Sequence, residues 1–247
     1  MRFKDKTIMI IGATGGIGSI TARRISEEAG NLILVARDLS KLESLQKELK
    51  TKSMIQSIDA TKADELERAV HQSEQEFGKI DVLIHAVGSI VLKSLQTTTE
   101  AIFRETLELN LISPFLSIKA VLNGMLKNKS GSVVVVSSVA GSTGLTNHEA
   151  ISAAKGGLES MIRTSSITYA KRGIRFNAVA LGLIETPLAK FLTSNENSLK
   201  VSQALHPMGR IGTPEDVVEG ILYLASEDSK WTTGVVLPID GGIAAGR

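Results

Sequence analysis

Residues Lys6–Gly18 read KTIMIIGATGGIG, an apolar run with β-branched residues that breaks into glycine. A helical pattern then continues through Glu28. Strand, tight turn and helix in that order make the first half of a βαβ unit that holds a dinucleotide at the carboxyl end of its strand. The glycines Gly12, Gly16 and Gly18 are spaced G-x-x-x-G-x-G.

A second centre lies at Val133–Lys155, VVVVSSVAGSTGLTNHEAISAAK. Four consecutive valines read as a strand covered on both faces, as in a parallel sheet. Ser137 and Ser138 stand at its carboxyl end, and a Gly-rich loop leads into a helix carrying Lys155. Ligands bind at that edge of such sheets. Further strands are expected at Asn31–Ala36, Met54–Ile58, Ile80–Ile84, Ile174–Ala180 and Gly234–Ile239. Between them, Asp38–Lys50 places Leu39, Leu42, Leu45 and Leu49 at helical spacing, with Asp38 or Ser40 near the cap. Ala63–Phe77 is a helix stopped by Gly78, and Glu215–Ser226 is another after Pro214. Thr99–Lys127 is a long helical region in which Pro114 predicts a kink, since it offers no N–H to the carbonyl of Asn110.

This alternation predicts an α/β fold, a single-domain Rossmann-like doubly wound parallel sheet with helices on both faces, spanning 1–247 without repeat or linker. The less regular segment at about 187–208 carries Leu188, Phe191, Leu192 and Leu205 at spacings that suit short helices. It reads either as a lid closing apolar faces over a ligand or as a surface excursion packed on its own domain.

Composition narrows the function. Hydrophobic residues make up 43% of the 247, and there are only five prolines, so a sizeable core is expected rather than disorder. The formal charge of +2 has no block of one sign behind it, so no nucleic-acid partner is expected. Cysteine is absent, which excludes disulfides, thiolate metal sites and a cysteine nucleophile; no metal is expected. No apolar run approaches eighteen residues and the N-terminus passes at once into strand and glycine, so the expectation is a cytoplasmic protein without signal or membrane contact.

A serine at a strand end with a lysine seventeen residues later resembles the active-site segment of the short-chain dehydrogenase/reductase family, and the resemblance extends over essentially the whole chain. It implies a nicotinamide dinucleotide. In that family the first glycine of the turn makes the bend, while the others admit the pyrophosphate to backbone N–H groups and the helix N-terminus, implicating Gly12, Thr14, Gly16, Ile17 and Gly18. The place of an NAD-selecting acid is held by Ala36, and Arg37 follows, as in NADP-preferring members. Asp38 lies close enough to keep NAD as an alternative. Asp59 and Ala60 match the adenine contact, although Asp59 also reads as a cap for the helix beginning near Lys62. His85-Ala86-Val87-Gly88 stands where the family writes Asn-Asn-Ala-Gly, which places Ala86 and Gly88 at the cofactor; His85 itself reads as a hydrogen-bonded strand-end histidine. Gly182, Ile184 and Thr186 match a turn that grips the nicotinamide carboxamide, with Leu181 replacing the usual proline.

The same resemblance assigns chemistry to Ser138, Lys155 and Asn110, the last in a helix kink that links the lysine to solvent. The family's tyrosine acid should stand four residues before the lysine, and that position is Ile151. Tyr169 is fourteen residues past Lys155, roughly 21 Å along a helix, and Tyr223 lies near the C-terminus. His148, three residues before Ile151 and seven before Lys155, is the candidate replacement acid, or else it caps the helix or faces solvent. Its spacing to Lys155 is similar to that of the tyrosine in divergent enoyl-thioester reductases. Three readings stand: an NADP(H)-dependent carbonyl/alcohol oxidoreductase with a small-molecule substrate, in which His148 or Ser138 with a Lys155-linked water replaces the tyrosine; an enoyl-type C=C reductase; or a non-catalytic NADP-binding sensor or scaffold. The resemblance also implies a homo-oligomer, tetramer or dimer, through the helices carrying Leu107, Leu109, Leu111, Phe115, Leu116 and Ile118 and Leu158, Met161 and Ile162.

Overall fold

Each of the first six strands hands on to helix, and every crossover brings the next strand back parallel. The structure is a computed structural model and describes residues 1–246. The strands are β1 (Thr7–Ile11), β2 (Asn31–Ala36), β3 (Ser53–Ser57), β4 (Val82–His85), β5 (Gly131–Ser138), β6 (Ile174–Leu181) and β7 (Val236–Ile239). Their spatial order is β3-β2-β1-β4-β5-β6-β7. Strand order therefore reverses between β1 and β4, and a crevice opens at their carboxyl ends.

Side-chain alternation divides the core in two. Ile8, Ile10, Leu32, Leu34, Val82, Ile84 and Val134 pack with α1 (Gly16–Glu27), α2 (Leu39–Glu48) and α9 (Pro214–Ala225) on one face. Met9, Ile11, Ile33, Val35, Leu83, Val133 and Val135 pack with α3 (Ala63–Phe77), α5 (Ser113–Asn128) and α6 (Glu149–Tyr169) on the other. Unbroken apolar strands follow, because neither parity faces water. Each such aliphatic side chain contributes about 1.5–3 kcal/mol by leaving it.

Several expectations move by a residue or two. The fourth strand starts at Val82 rather than Ile80, because the Asp81 carboxylate accepts the Thr7 N–H at 2.9 Å and holds that residue as an anchor ahead of the strand. It also continues through His85, which pairs in register with Ile11 and Val135 and so lies inside the sheet. The last strand is shorter than Gly234–Ile239: Gly234 turns at φ +78° and the Val235 N–H goes to the Asn177 side chain. On α2 only Leu42 and Leu45 are buried; Leu39, expected on the same stripe, is exposed at the first turn.

The long helical region breaks as Pro114 required. α4 (Glu100–Leu107) passes into a five-residue π turn, Glu108–Ile112, before α5 begins. Ser113 N–H reaches back five residues to the Glu108 carbonyl, and the widened turn absorbs the donor that proline lacks. Taken whole, the helical stretch Glu100–Asn128 is long and apolar enough by mean hydropathy to cross a membrane, although polar residues interrupt it and no unbroken apolar run in it approaches eighteen residues. It nevertheless carries Glu100, Arg104, Glu105, Glu108, Lys119 and Lys127, and buries Ile118, Val121 and Met125 in the core, as a packed helix does. The expected subunit face also needs correction, since Ile118, Leu158 and Ile162 are core residues.

Phe176 on β6 is fully buried and its ring lies 5.5 Å from that of Tyr169 at the end of α6. Phe176→Ala is expected to cost about 3–5 kcal/mol in urea unfolding, the range for truncating a buried aromatic.

Candidate active site

The glycine turn after β1 is tight for identifiable reasons. Gly12 adopts φ +86°, and a Cβ there would lie 2.9 Å from the Ala86 carbonyl carbon at the exit of β4. A Cβ on Gly18 would run into the Gly12 carbonyl, and one on Gly16 would lie 2.8 Å from Thr186 Cγ2. Thr14 is half-buried in the turn and Ile17 packs on the core. The twelve-residue α1 starts behind Gly15 with no side-chain cap and no acidic residue in its first turn. Its free N–H groups and positive dipole end face the crevice, and a pyrophosphate fits there.

At the end of β2, Arg37 is exposed and forms no ion pair among the described residues. Asp38 is occupied. Its carboxylate caps α2, accepting the Ser40 hydroxyl at 2.7 Å and the Lys41 N–H at 3.1 Å, and these bonds hold its pKa near 2. Asp59 after β3 is not the cap of α3, whose N-cap is Lys62. It closes an Asx turn instead, accepting the N–H and hydroxyl of Thr61, both at 2.9 Å, and the N–H chiefly lowers its pKa, with a smaller contribution from Arg37. Ala60 is buried beside it.

The other end of the crevice gathers Gly88, Asn110, Ser138 and Lys155. Lys155 Nζ donates to the Val136 carbonyl at 2.8 Å, two residues before Ser138 on β5. A Cβ on Gly88 would lie 2.9 Å from Asn110 Oδ1 and 3.6 Å from Lys155 Nζ, so these three converge. Asn110 is fully buried in the π turn, where its Oδ1 accepts the Ser89 N–H and its Nδ2 donates to Ser89 Oγ and the Thr106 carbonyl. Ser138 Oγ accepts the Ala140 N–H at 3.2 Å, which leaves its own proton to donate.

Burial sets the charges here. Desolvation pushes the Lys155 pKa down to about 8, against a smaller upward pull from Glu159. Glu159, one turn further along α6, is 1% exposed, accepts the Ser137 hydroxyl at 2.7 Å, and has its pKa raised by burial. His85 is fully buried, and burial first, then the Lys155 charge, lowers its pKa to about 3. It is neutral and supplies no acid. Its Nδ1 lies 3.2 Å from Ser117 Oγ, as a strand-end histidine should, and Nε2 has no partner among the described residues.

Ile151 is buried one turn before Lys155, so the place of the family's acid is apolar. His148 occupies the N-cap position of α6 without a side-chain cap bond, and its Nδ1 sits 2.8 Å from the Thr146 carbonyl. Among the described residues no hydrogen bond joins it to Ser138, Asn110 or Lys155. Neither tyrosine substitutes: Tyr169 packs on Phe176, and the Tyr223 hydroxyl meets Thr232. In the turn after β6, Gly182 and Thr186 line the crevice edge, whereas the Ile184 side chain is core and its backbone forms a β-bridge with Gly212. Glu159 went unread in the sequence, although its position four residues after Lys155 places it on the same helix face.

Over residues 12–244 the sequence matches the family profile described as Enoyl-(Acyl carrier protein) reductase. It is 36% identical to the 3-oxoacyl-(acyl-carrier-protein) reductase of Thermotoga maritima, over 98% of this chain and 99% of that one. The chain belongs to the short-chain dehydrogenase/reductase family. This family member is also 32% identical, over 98% of both chains, to cis-4-hydroxycyclohexanecarboxylate dehydrogenase of Sinomonas cyclohexanicum. Among solved structures, levodione reductase superposes with a TM-score of 0.91 at 30% identity over the whole of both chains. ElxO with NADP bound does so with a TM-score of 0.91 at 28% identity, over 97% of this chain and 99% of that one. As a short-chain dehydrogenase/reductase the protein is an oxidoreductase, and its crevice suits a nicotinamide dinucleotide.

The buried lysine predicts how stability depends on pH. Between about pH 8 and 10.5 the unfolded chain keeps a proton that folded Lys155 releases, so wild-type stability rises across that window. Lys155→Met removes the cost of burying the charge, roughly 3 kcal/mol for a fall of this size. It is expected to melt above wild type at pH 7, with the gap closing by pH 10.5 in thermal denaturation followed by circular dichroism.

Proposed function

We propose that the protein is an NADP(H)-dependent oxidoreductase that interconverts a small carbonyl compound and its alcohol, with Lys155 supplying the proton in place of the absent tyrosine. The observation that carries this is the buried Lys155 amine, held by the Val136 carbonyl beside Asn110 and two residues from the Ser138 position, with apolar Ile151 one turn away. The chemistry NADPH brings is hydride donation to an electrophilic carbon. Ser138 donates its hydroxyl proton to the substrate oxygen and orients it. The Lys155 ammonium, with two N–H donors beyond the one given to Val136, passes a proton to the developing alkoxide through one bridging water and is recharged along the side that Asn110 opens.

NADP is favoured over NAD by the division of labour at β2: Arg37 is free to pair with a 2′-phosphate, while Asp38 is committed to capping α2. The NADP-bound relative supports the same choice. Within the lid, Pro187–Ala189, Lys190–Thr193 and Glu196–Leu205 are helical, and Leu188, Phe191 and Leu205 expose apolar side chains, which favours a substrate with an apolar body. Exposed Ile112 and Phe115 remain on the α4–α5 face for a homo-oligomer, and we read the protein as cytoplasmic.

The description of the matching family favours a second reading, an enoyl-thioester reductase, for which His148, two helical turns before Lys155, would be the acid.

NADPH oxidation with a panel of ketones, aldehydes and enoyl thioesters separates the two. Under the first reading ketone reduction falls as pH rises through about 8, where Lys155 loses its proton, and His148→Ala leaves it unchanged. Turnover confined to enoyl thioesters and abolished by His148→Ala sinks the first reading. Arg37→Ala is expected to weaken NADPH binding at least tenfold, about 1.4 kcal/mol, and NADH binding far less, in a calorimetric titration.

A further inference from the structure

The lid returns to the sheet through His206, a residue outside every motif above. It is only 4% exposed, although Leu205, Pro207 and Met208 around it are exposed. Nδ1 lies 2.7 Å from the Ser202 carbonyl in the last turn of α8 (Glu196–Leu205), and Nε2 lies 3.1 Å from the backbone N of Leu183. A backbone N–H only donates, so Nε2 is the acceptor; the ring proton is assigned to Nδ1, where it caps the helix. The ring stands where a side chain at 182 would go: a Cβ on Gly182 would lie 2.7 Å from Nε2 and 3.1 Å from Asp240 Cα. Gly241 closes the other side, where an added Cβ would lie 3.6 Å from His206 Cβ and Cδ2.

Leu183 belongs to the turn that runs along the crevice. Upstream, Leu181 is in register with Ser138; downstream, Thr186 lies against Gly16. The carbonyl of Leu183 accepts the Gly212 N–H at 2.9 Å, and Glu185 N–H returns to the Gly212 carbonyl at 2.8 Å. The Leu183 N–H has His206 as its acceptor and would otherwise be an unpaired donor, which fixes the pitch of the turn. The adenosine end, at Arg37 and Asp59 beyond β2 and β3, lies across the switch point from this contact.

We propose that His206 is a positioning residue that sets the turn Gly182–Thr186 for the nicotinamide half of the dinucleotide, coupling the end of lid helix α8 to that half alone. The inference rests on the NADP reading above. Titration calorimetry of the full chain with NADPH and with 2′,5′-ADP, which carries the adenosine 2′-phosphate but no nicotinamide, tests it. His206→Leu is expected to weaken NADPH about tenfold and leave 2′,5′-ADP within about twofold, the size expected for one orphaned backbone donor. His206→Gln, whose amide oxygen can take the Leu183 N–H, restores NADPH affinity. His206→Asn, which keeps only the bond to Ser202, behaves as His206→Leu and serves in its place should that variant not fold. Unchanged NADPH affinity in both the Leu and Asn variants, equal weakening of both ligands, or no rescue by Gln overturns the proposal. Wild-type protein that binds neither ligand overturns the NADP reading itself, a result distinct from any of these.

Discussion

A parallel sheet wrapped on both faces has one place left for polar chemistry, the edge where its strands end. The constraint is visible in where glycines and polar residues lie: Gly12 after β1, Arg37 after β2, Asp59 after β3, Gly88 after β4, Ser138 at the end of β5 and Gly182 after β6. None of these needs a special structural device to reach its neighbours, because strand register delivers them. Ser138 and Leu181 are paired residues, as are Ile11 and His85. Lys155 is the exception, since it arrives from a helix. Leu158 and Ile162 pin α6 to the sheet, and that packing drives an amine into a dry position where its charge is costly. The Val136 carbonyl and the nearby Glu159 carboxyl offset part of that cost.

The fold was legible because apolar periodicity and glycine placement are local properties. Val133–Val136 could only be a strand covered twice, and Gly78 at φ +79° ended α3 where its residue type required. Errors gathered where a tertiary contact overrode the local pattern. Asp81 resembled strand and became an anchor through its bond to Thr7; Leu39 fitted the stripe of α2 yet sits at a first turn beyond the core's reach. Apolar helix positions did not say whether they faced the sheet or another subunit, so Ile118, Leu158 and Ile162 were placed on the wrong side.

At the site, residue types were readable and partnerships were not. Ser138 and Lys155, seventeen residues apart, do meet at one strand end, but only geometry shows Asp38 committed to capping α2. Ile184 matched a contact position and proved to be core. His206 carried no signal in sequence, since its contact with Leu183, twenty-three residues earlier, is made only in the folded chain. Ile151 is buried one turn before Lys155, and Gly88, Asn110 and Lys155 converge beside it.

The ends of the segment between β6 and α9 bear on how this chain could diversify. Leu183, Glu185 and Gly212 are laced together by backbone hydrogen bonds, and the span between them closes on itself like a purse. Inside it, His206 and Met208 are tied back to Leu183 and Gly241, so only the residues between these anchors can be exchanged, lengthened or shortened while the stitched ends stay in place. Change confined to the rest of the segment leaves the strand ends beneath it where they are, like a pendant swapped on an unchanged chain.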